Sequence, residues 1–454
     1  MSQSRLSTKA ILLILILAGG LRLAVVGLQR DQLQQDRDAY IAIARNLASG
    51  HGFTSSPVHQ GQESRPTAFR PPLYPCLIAV GYFLNAGPLG TGILQIVLGV
   101  LTVWLTWKTG QQLKLKYAAL VAAAIVATDP ILLQYTAYSM TEVLATFMSS
   151  LLLYLLVLSF PGQTDKVEQQ QSSLLLFWTG VVWGLAILCR PTYLAFLGIW
   201  LLARLAGSFL EKLSSRENRL ASQSGWLPIA FLTTGILLAV SPWLIRNLVV
   251  FRAPILTTTH GGYTLLLGNN PVFYKEVVQQ PWGAVWSGDS LDTWQKSLER
   301  DIDGIKPPLK SEQERDRWMY ARARENIAAQ PDLFVQSCLL RLKRFWNIAP
   351  LTSAGLTRHP VLAWGVAGYY LAVLIGCFGG MFLAIWKKES NWSHLIWLIV
   401  SFTVVHLFYW TNMRMRAPLV PAIALLSVSG WSQLAHFSKI DRLWKRPERD
   451  LSNS

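Results

Sequence analysis

Ile11-Leu-Leu-Ile-Leu-Ile-Leu17 runs on apolar to Leu28. It is followed by Asp36-Arg37-Asp38-Ala39-Tyr40-Ile41-Ala42-Ile43-Ala44-Arg45-Asn46-Leu47, then Gly50-His51-Gly52-Phe53 and Arg70-Pro71-Pro72-Leu73-Tyr74-Pro75. The apolar run reads as an uncleaved membrane helix: it is long enough to span a bilayer and lacks a clear small-residue cleavage site. The charges after it stop short of the hydrocarbon, where each would cost about 2.5 to 3.5 kcal/mol at the bilayer centre. Carboxylates and an arginine are therefore held against a lipid surface.

The rest of the composition agrees. At 454 residues, 52% hydrophobic and 15% charged, with 19 Trp, the chain reads as an all-α polytopic membrane protein. A net charge of +16 would suggest nucleic acid in a soluble chain. Here the basic residues cluster in short segments between apolar runs, the pattern of a topology signal, so no nucleic-acid partner is expected. Cys76, Cys189, Cys338 and Cys377 lie far apart, and the seven histidines show no paired ligand spacing, so neither a disulfide framework nor a zinc site is expected.

Apolar segments of spanning length occur at 10–28, 89–107, 117–135, 142–160, 174–189, 191–206, 226–249, 360–386, 394–411 and 417–436, about ten helices. The run 72–84 is short and proline-bearing, and fits an interfacial helix better than a span. With it left out, Arg5/Lys9, Lys108/Lys114/Lys116, Lys166, Lys212/Arg216/Arg219, Lys387/Lys388 and the tail from Lys439 to Arg449 fall on one side. The positive-inside rule makes that side the cytoplasm, with both termini. Residues 1–249 then form an N-terminal transmembrane module with a first external loop at 29–88. Residues 250–358 form an external subdomain rich in Trp282, Trp286, Trp294 and Trp318, and 359–454 carry the last helices and a short basic tail.

Long external segments are where chemistry is expected. On this topology Asp36, Asp38, Arg70, Glu142, Arg190, Arg246, Arg414 and Arg416 all sit at the outer surface. Arginine loaded outside, against the positive-inside bias, is the informative part. Planar guanidinium donors suit an anionic headgroup such as a lipid-borne phosphate, and a nearby carboxylate can take a proton from a hydroxyl. Tyr40, Ile43, Ala44 and Leu47 fall at i, i+3, i+4 and i+7, an amphipathic helix lying on the membrane and closed near Gly50. One turn before Tyr40, Asp36 is favoured over Asp38 as the base. Duller readings stand beside these. The aspartates can cap that helix, Ser139-Met-Thr-Glu142 has capping-box spacing, and Arg190 and Arg246 can be snorkelling anchors.

At these residues the chain resembles the polytopic glycosyltransferases of the C superfamily, in particular the protein O-mannosyltransferase and lipid A aminoarabinose transferase branch. The ordered set continues through Arg190-Pro191-Thr192, Pro242-Trp243-Leu-Ile-Arg246-Asn247, Gly268-Asn-Asn-Pro271 and Arg414-Met-Arg416-Ala-Pro418. The resemblance implies a polyprenyl-phosphate sugar donor, an extracytoplasmic site and an essential acidic residue at Asp36. It also implies that Glu142 is the second acidic position and that Arg70 and other arginines touch the donor phosphate. Asp38, Tyr40, Tyr74, His51 and His260 are candidates for substrate contact. Arg37 departs from the Glu usual after the first Asp in aminoarabinose transferases.

The expected function is sugar transfer to an unidentified acceptor hydroxyl, on protein, lipid or glycan, by inverting displacement. A divalent cation bridging Asp36 and Glu142 is an alternative to a cofactor-free site. A secondary transporter or lipid flippase is the competing class. It would place its charges at mid-depth between two related halves, and no internal symmetry is evident.

Overall fold

The computed structural model describes residues 2–56, 65–160, 173–214, 227–349, 351 and 360–444. His59, His359, Lys166, Arg216, Arg219 and the basic tail from Lys445 lie outside the described residues. The protein is all-α, and among the described residues seven helices are long and apolar enough to cross a membrane. Four shorter apolar helices accompany them: Leu73–Phe83, Ala118–Thr128, Ser173–Cys189 and Thr192–Gly207.

Helix α1 (Ser2–Leu28) leads through a short 3-10 turn to α2 (Tyr40–Ala48) and α3 (Leu73–Phe83). Then come α4 (Gly87–Gln112), α5 (Ala118–Thr128) and α6 (Pro130–Tyr135). The apolar run 117–135, read from sequence as one span, is broken at Asp129-Pro130. Pro130 opens α6, and the Asp129 side chain accepts the Leu132 amide at 3.0 Å, an N-cap that starts a new helix. Arg22 meets the freed end of α5, donating to the carbonyls of Val126 and Ala127 at 3.3 and 3.2 Å. The bundle continues with α7 (Glu142–Ser159), α8 (Ser173–Cys189), α9 (Thr192–Ser214) and α10 (Leu227–Phe251).

The segment 250–358, expected from sequence to be external, folds as α11 (Gly261–Gly268), α12 (Pro271–Phe273), α13 (Asp289–Asp303), α14 (Glu312–Ala329) and α15 (Pro331–Phe345). Phe273, Trp286, Trp294, Leu298 and Met319 give it a small core of its own. Helices α16 (Pro360–Trp386), α17 (Ser393–Phe408) and α18 (Val420–Trp444) complete the chain.

The outer faces match lipid. Leu13 is 67% exposed, Ile16 71%, Val361 84% and Trp364 78%, an apolar surface that water would not tolerate over this extent. Without a hydrophobic drive between helices inside a bilayer, small residues let backbones approach and gain dispersion contact. Gly180 on α8 and Gly235 on α10 face each other in this way. A Cβ on either would fall inside the van der Waals shell of the opposing carbonyl, Leu232 O or Phe177 O. Gly380 and Gly430 do the same between α16 and α18. Gly180→Val is expected to separate α8 from α10 and cost about 1 to 3 kcal/mol. A thermal-shift midpoint in detergent, compared with the exposed control Gly198→Val, checks this.

Candidate active site

The first loop is built around α2, whose buried face is Tyr40, Ile41, Ile43 and Ala44. The chain enters α2 through Ala39 in the left-handed region at φ 61°. This turn decides where the two aspartates go. It wraps Asp36 over the start of the helix, where one carboxylate oxygen accepts the Ile41 amide at 3.1 Å and the other the Ala42 amide at 2.7 Å. Asp38 instead faces inward and takes Arg70 Nη2 at 2.8 Å. The helical projection that favoured Asp36 does not apply, because residues 36–39 precede the helix.

Arg70 is held on several sides. Its guanidinium carbon lies 5.5 Å from the Tyr40 ring centre and 5.2 Å from that of Phe69, and Nη1 lies 3.5 Å from His260 Nε2. Tyr40 rests edge-on against Tyr74, with ring centres 5.2 Å apart. Since arginine can only donate, Nε2 of His260 accepts, and Nδ1–H donates to Thr264 Oγ1 at 2.9 Å. His260 is therefore neutral. Burial, reinforced by the Arg70 charge, pushes its pKa well below the ordinary value.

This has a pH consequence with a definite sign. The unfolded chain protonates His260 from about pH 6.5 downward while the folded protein does not, so the contribution is complete above that pH and is lost as pH falls toward the folded value. We expect the acid-side decline of the thermal midpoint below that pH to be shallower in His260→Gln. An unchanged profile would contradict the assignment.

The second group of charges gathers where α7 begins. Glu142 is 1% exposed, and its Oε1 takes Arg190 Nη2 at 2.9 Å and Arg414 Nε at 3.7 Å. Arg190 Nε also donates to Thr141 Oγ1 at 2.9 Å. No capping box forms, because Ser139 Oγ donates to Leu33 O at 2.8 Å. The second Glu142 oxygen is buried without a hydrogen-bond partner among the described residues. Arg190 comes from the junction of α8 and α9. Arg414 lies on a 3-10 turn (Met413–Leu419), and its own amide donates to Asn412 Oδ1 at 3.1 Å.

The two groups share one cavity of about 1050 Å³. Asp38, Tyr40, Arg70 and His260 line it together with Glu142, Arg190 and Arg414. Five residues expected at the site from sequence do not line it: Asp36, His51, Tyr74, Arg246 and Arg416. Tyr74 is buried behind Tyr40, and His51 is exposed between Gly50 and Gly52, both at φ 78°. Arg246 is a clamp on the first loop, donating to Thr67 O at 2.9 Å and Phe53 O at 3.3 Å. Arg416 ties the end of α15, donating to Phe345 O at 3.1 Å and Asn347 O at 3.0 Å, with its guanidinium 4.7 Å over the Tyr370 ring. Buried guanidinium groups are satisfied by backbone carbonyls as well as by anions, so position near lipid did not separate the two roles.

Sequence reasoning did not find the rest of the lining, which comes from the segment 250–358 (Tyr263, Gln295, Glu312 and Tyr320) and from Tyr409, just past the end of α17. Gln295 donates to Tyr263 Oη at 2.8 Å, and Tyr320 and Tyr409 bring their hydroxyls to 3.5 Å. The amphipathic pattern of α13 was the available signal. It shows a buried face but not which bundle end that face covers.

The donor set around the cavity suits an anion. Asp38 and Glu142 both carry arginine partners, and Asp36, the other half of the expected cation-bridging pair, does not line the cavity. Among the described residues no cluster of three His, Cys, Asp or Glu has metal-ligating geometry.

A family model described as dolichyl-phosphate-mannose-protein mannosyltransferase matches residues 69–245. No curated protein matches significantly. Among solved structures, the archaeal oligosaccharyltransferase AglB from Archaeoglobus fulgidus, in complex with an inhibitory peptide and a dolichol-phosphate, superposes with TM-score 0.51 at 12% identity. The match covers 98% of this chain and 52% of that one, so the chain spans about half the length of that enzyme. The apo form of the A. fulgidus oligosaccharyltransferase gives TM-score 0.51 at 12% identity, covering 96% and 52%. ArnT from Cupriavidus metallidurans, bound to undecaprenyl phosphate, is also similar, with TM-score 0.41 at 13% identity, covering 96% and 80%. The chain shares its helical membrane fold with the archaeal oligosaccharyltransferase.

Proposed function

We propose that the protein transfers a sugar from a polyprenyl-phosphate donor to an acceptor hydroxyl in the cavity between the bundle and the external segment. The observation that carries the reading is the meeting of Arg70, Arg190 and Arg414, from three distant parts of the chain, with Asp38 and Glu142 in one cavity of about 1050 Å³. That volume stands at the upper end of the ~300–1,000 Å³ usual for ligand clefts, which leaves room for a donor headgroup and an acceptor together. The family description and the dolichol-phosphate of the archaeal enzyme support the donor class.

In this scheme the arginines hold the phosphate and stabilise the charge that grows on it as the bond to the anomeric carbon breaks. Glu142 keeps Arg190 and Arg414 together. Asp38 is the base. It faces the cavity, whereas both oxygens of Asp36 accept α2 amides. Asp38 takes the proton of the acceptor hydroxyl, the acceptor oxygen bonds to the anomeric carbon, and the polyprenyl phosphate departs with its electron pair. A single displacement of this kind inverts the anomeric centre, unlike the two-carboxylate hydrolases, where acid and base straddle the bond. The hydroxyl- and aromatic-bearing wall of Tyr263, Gln295, Tyr320 and Tyr409 offers the neutral contacts a sugar requires.

The cavity gathers the N-terminal ends of α7 and α9 and the C-terminal ends of α8 and α17. Lys108, in the last turns of α4, and Lys114, just past its C-terminus, lie at the end of that helix away from the first loop. By the positive-inside rule this supports an extracytoplasmic site with both termini in the cytoplasm. The test is reconstitution in vesicles with radiolabelled polyprenyl-phosphate sugars. Label moving to protein, lipid or glycan acceptors supports the reading. Intact donor across a panel of sugars, with undecaprenyl phosphate failing to bind, would reject it. Arg70→Ala is expected to weaken donor affinity by about 10- to 100-fold, as loss of one charge-assisted contact would.

A further inference from the structure

Arg70 owes its place to more than its own ion pair. Thr67 to Phe69, the three residues before it, are bonded at successive backbone groups by segments that lie far away in sequence. Arg246 donates to Thr67 O at 2.9 Å, Thr259 N to Ala68 O at 3.0 Å, and Thr258 Oγ1 to Phe69 O. The Ala68 amide in turn donates to Glu312 Oε2 at 2.9 Å, and the same oxygen takes Thr259 Oγ1 at 3.1 Å. One carboxylate oxygen on the first residue of α14 thus joins both strands of this strap. His260, next to Thr259, touches Arg70 directly, and Glu312 itself lines the cavity.

We infer that Glu312 is a positioning residue. It fixes the strap formed by 67–70 and 257–260 so that Arg70, backed by His260, meets the donor phosphate, and it couples the seating of the external segment to donor binding. The inference rests on the donor-site reading above. Glu312 acts through Arg70 and does not itself contact the phosphate, which its negative charge would repel.

The experiment is titration of purified full-length protein in nanodiscs with undecaprenyl phosphate, and with undecaprenol as the uncharged control. Glu312→Ala is expected to weaken undecaprenyl phosphate binding by about tenfold, as loss of one hydrogen bond to a charged group would. Glu312→Gln keeps an oxygen acceptor at that place and is expected to bind within about threefold of wild type, with undecaprenol binding unchanged in both variants. In the Arg70→Ala background, Glu312→Ala is expected to add nothing, because the group it positions is gone.

Additive losses, or wild-type affinity in Glu312→Ala, would overturn the inference. So would a tenfold loss in Glu312→Gln. If Arg70→Ala itself leaves undecaprenyl phosphate affinity unchanged, the donor-site reading falls and the inference falls with it. Should Glu312→Ala not be recovered folded, Glu312→Asp carries the same comparison with the oxygen drawn back by one methylene.

Discussion

Asp38→Asn is expected to lower sugar transfer by about 10²- to 10⁴-fold, the contribution of a positioned general base. Donor binding should stay close to wild type, since the amide oxygen can still accept from Arg70, which lies 2.8 Å from the native carboxylate. The companion variant Asp36→Asn is the sharper half of the comparison. Asp36 bonds two amides of α2 and does not line the cavity, so its loss should cost stability of the first loop while turnover per folded molecule stays within a few-fold. Single-turnover transfer with labelled donor, normalised to donor bound, separates the two. A collapse of turnover in Asp36→Asn with full activity in Asp38→Asn would return the base to Asp36 and require the left-handed turn at Ala39 to open in the working enzyme.

Glu142→Ala is expected to be the most destabilising single change at the site. The carboxylate is 1% exposed and neutralises Arg190, itself partly buried, with Arg414 close by. Breaking a buried pair by removing one partner leaves an uncompensated charge and costs about 3 to 5 kcal/mol. Part of that cost should be recovered by Glu142→Ala/Arg190→Ala, which removes the stranded cation as well. Undecaprenyl phosphate should raise the thermal midpoint of Glu142→Ala more than that of wild type, because its phosphate supplies the missing negative charge. A thermal midpoint within a degree or two of wild type would contradict the geometry.

How far the sequence carried these conclusions depended on whether the signal was local. The amphipathic spacing of Tyr40, Ile43, Ala44 and Leu47 is a property of one short run of sequence, and α2 spans it. Asp129-Pro130, a cap followed by a proline, marks a helix start just as locally, yet it was passed over because the surrounding apolar run was of spanning length. The choice between Asp36 and Asp38 was not legible. It turns on the backbone at Ala39, where neither Gly nor Asn announces a left-handed residue. Arg246 and Arg416 show a second limit: the sequence marks them as helix-end arginines, but the carbonyls they serve belong to residues 67 and 345, far off in the chain. The strap through Glu312 is the extreme case. Its bond to Ala68 crosses 244 positions, and no pattern in either segment foretells the other.

The account depends on one lipid-borne phosphate seated among Arg70, Arg190 and Arg414. A cryo-electron microscopy structure of the protein in nanodiscs with undecaprenyl phosphate tests this most directly. The account predicts phosphate density inside the cavity, with at least two of these guanidinium groups within hydrogen-bond distance and Asp38, not Asp36, facing the space in front of it. Phosphate bound outside the cavity, or beside Arg246 or Arg416 with the three cavity arginines untouched, would contradict it.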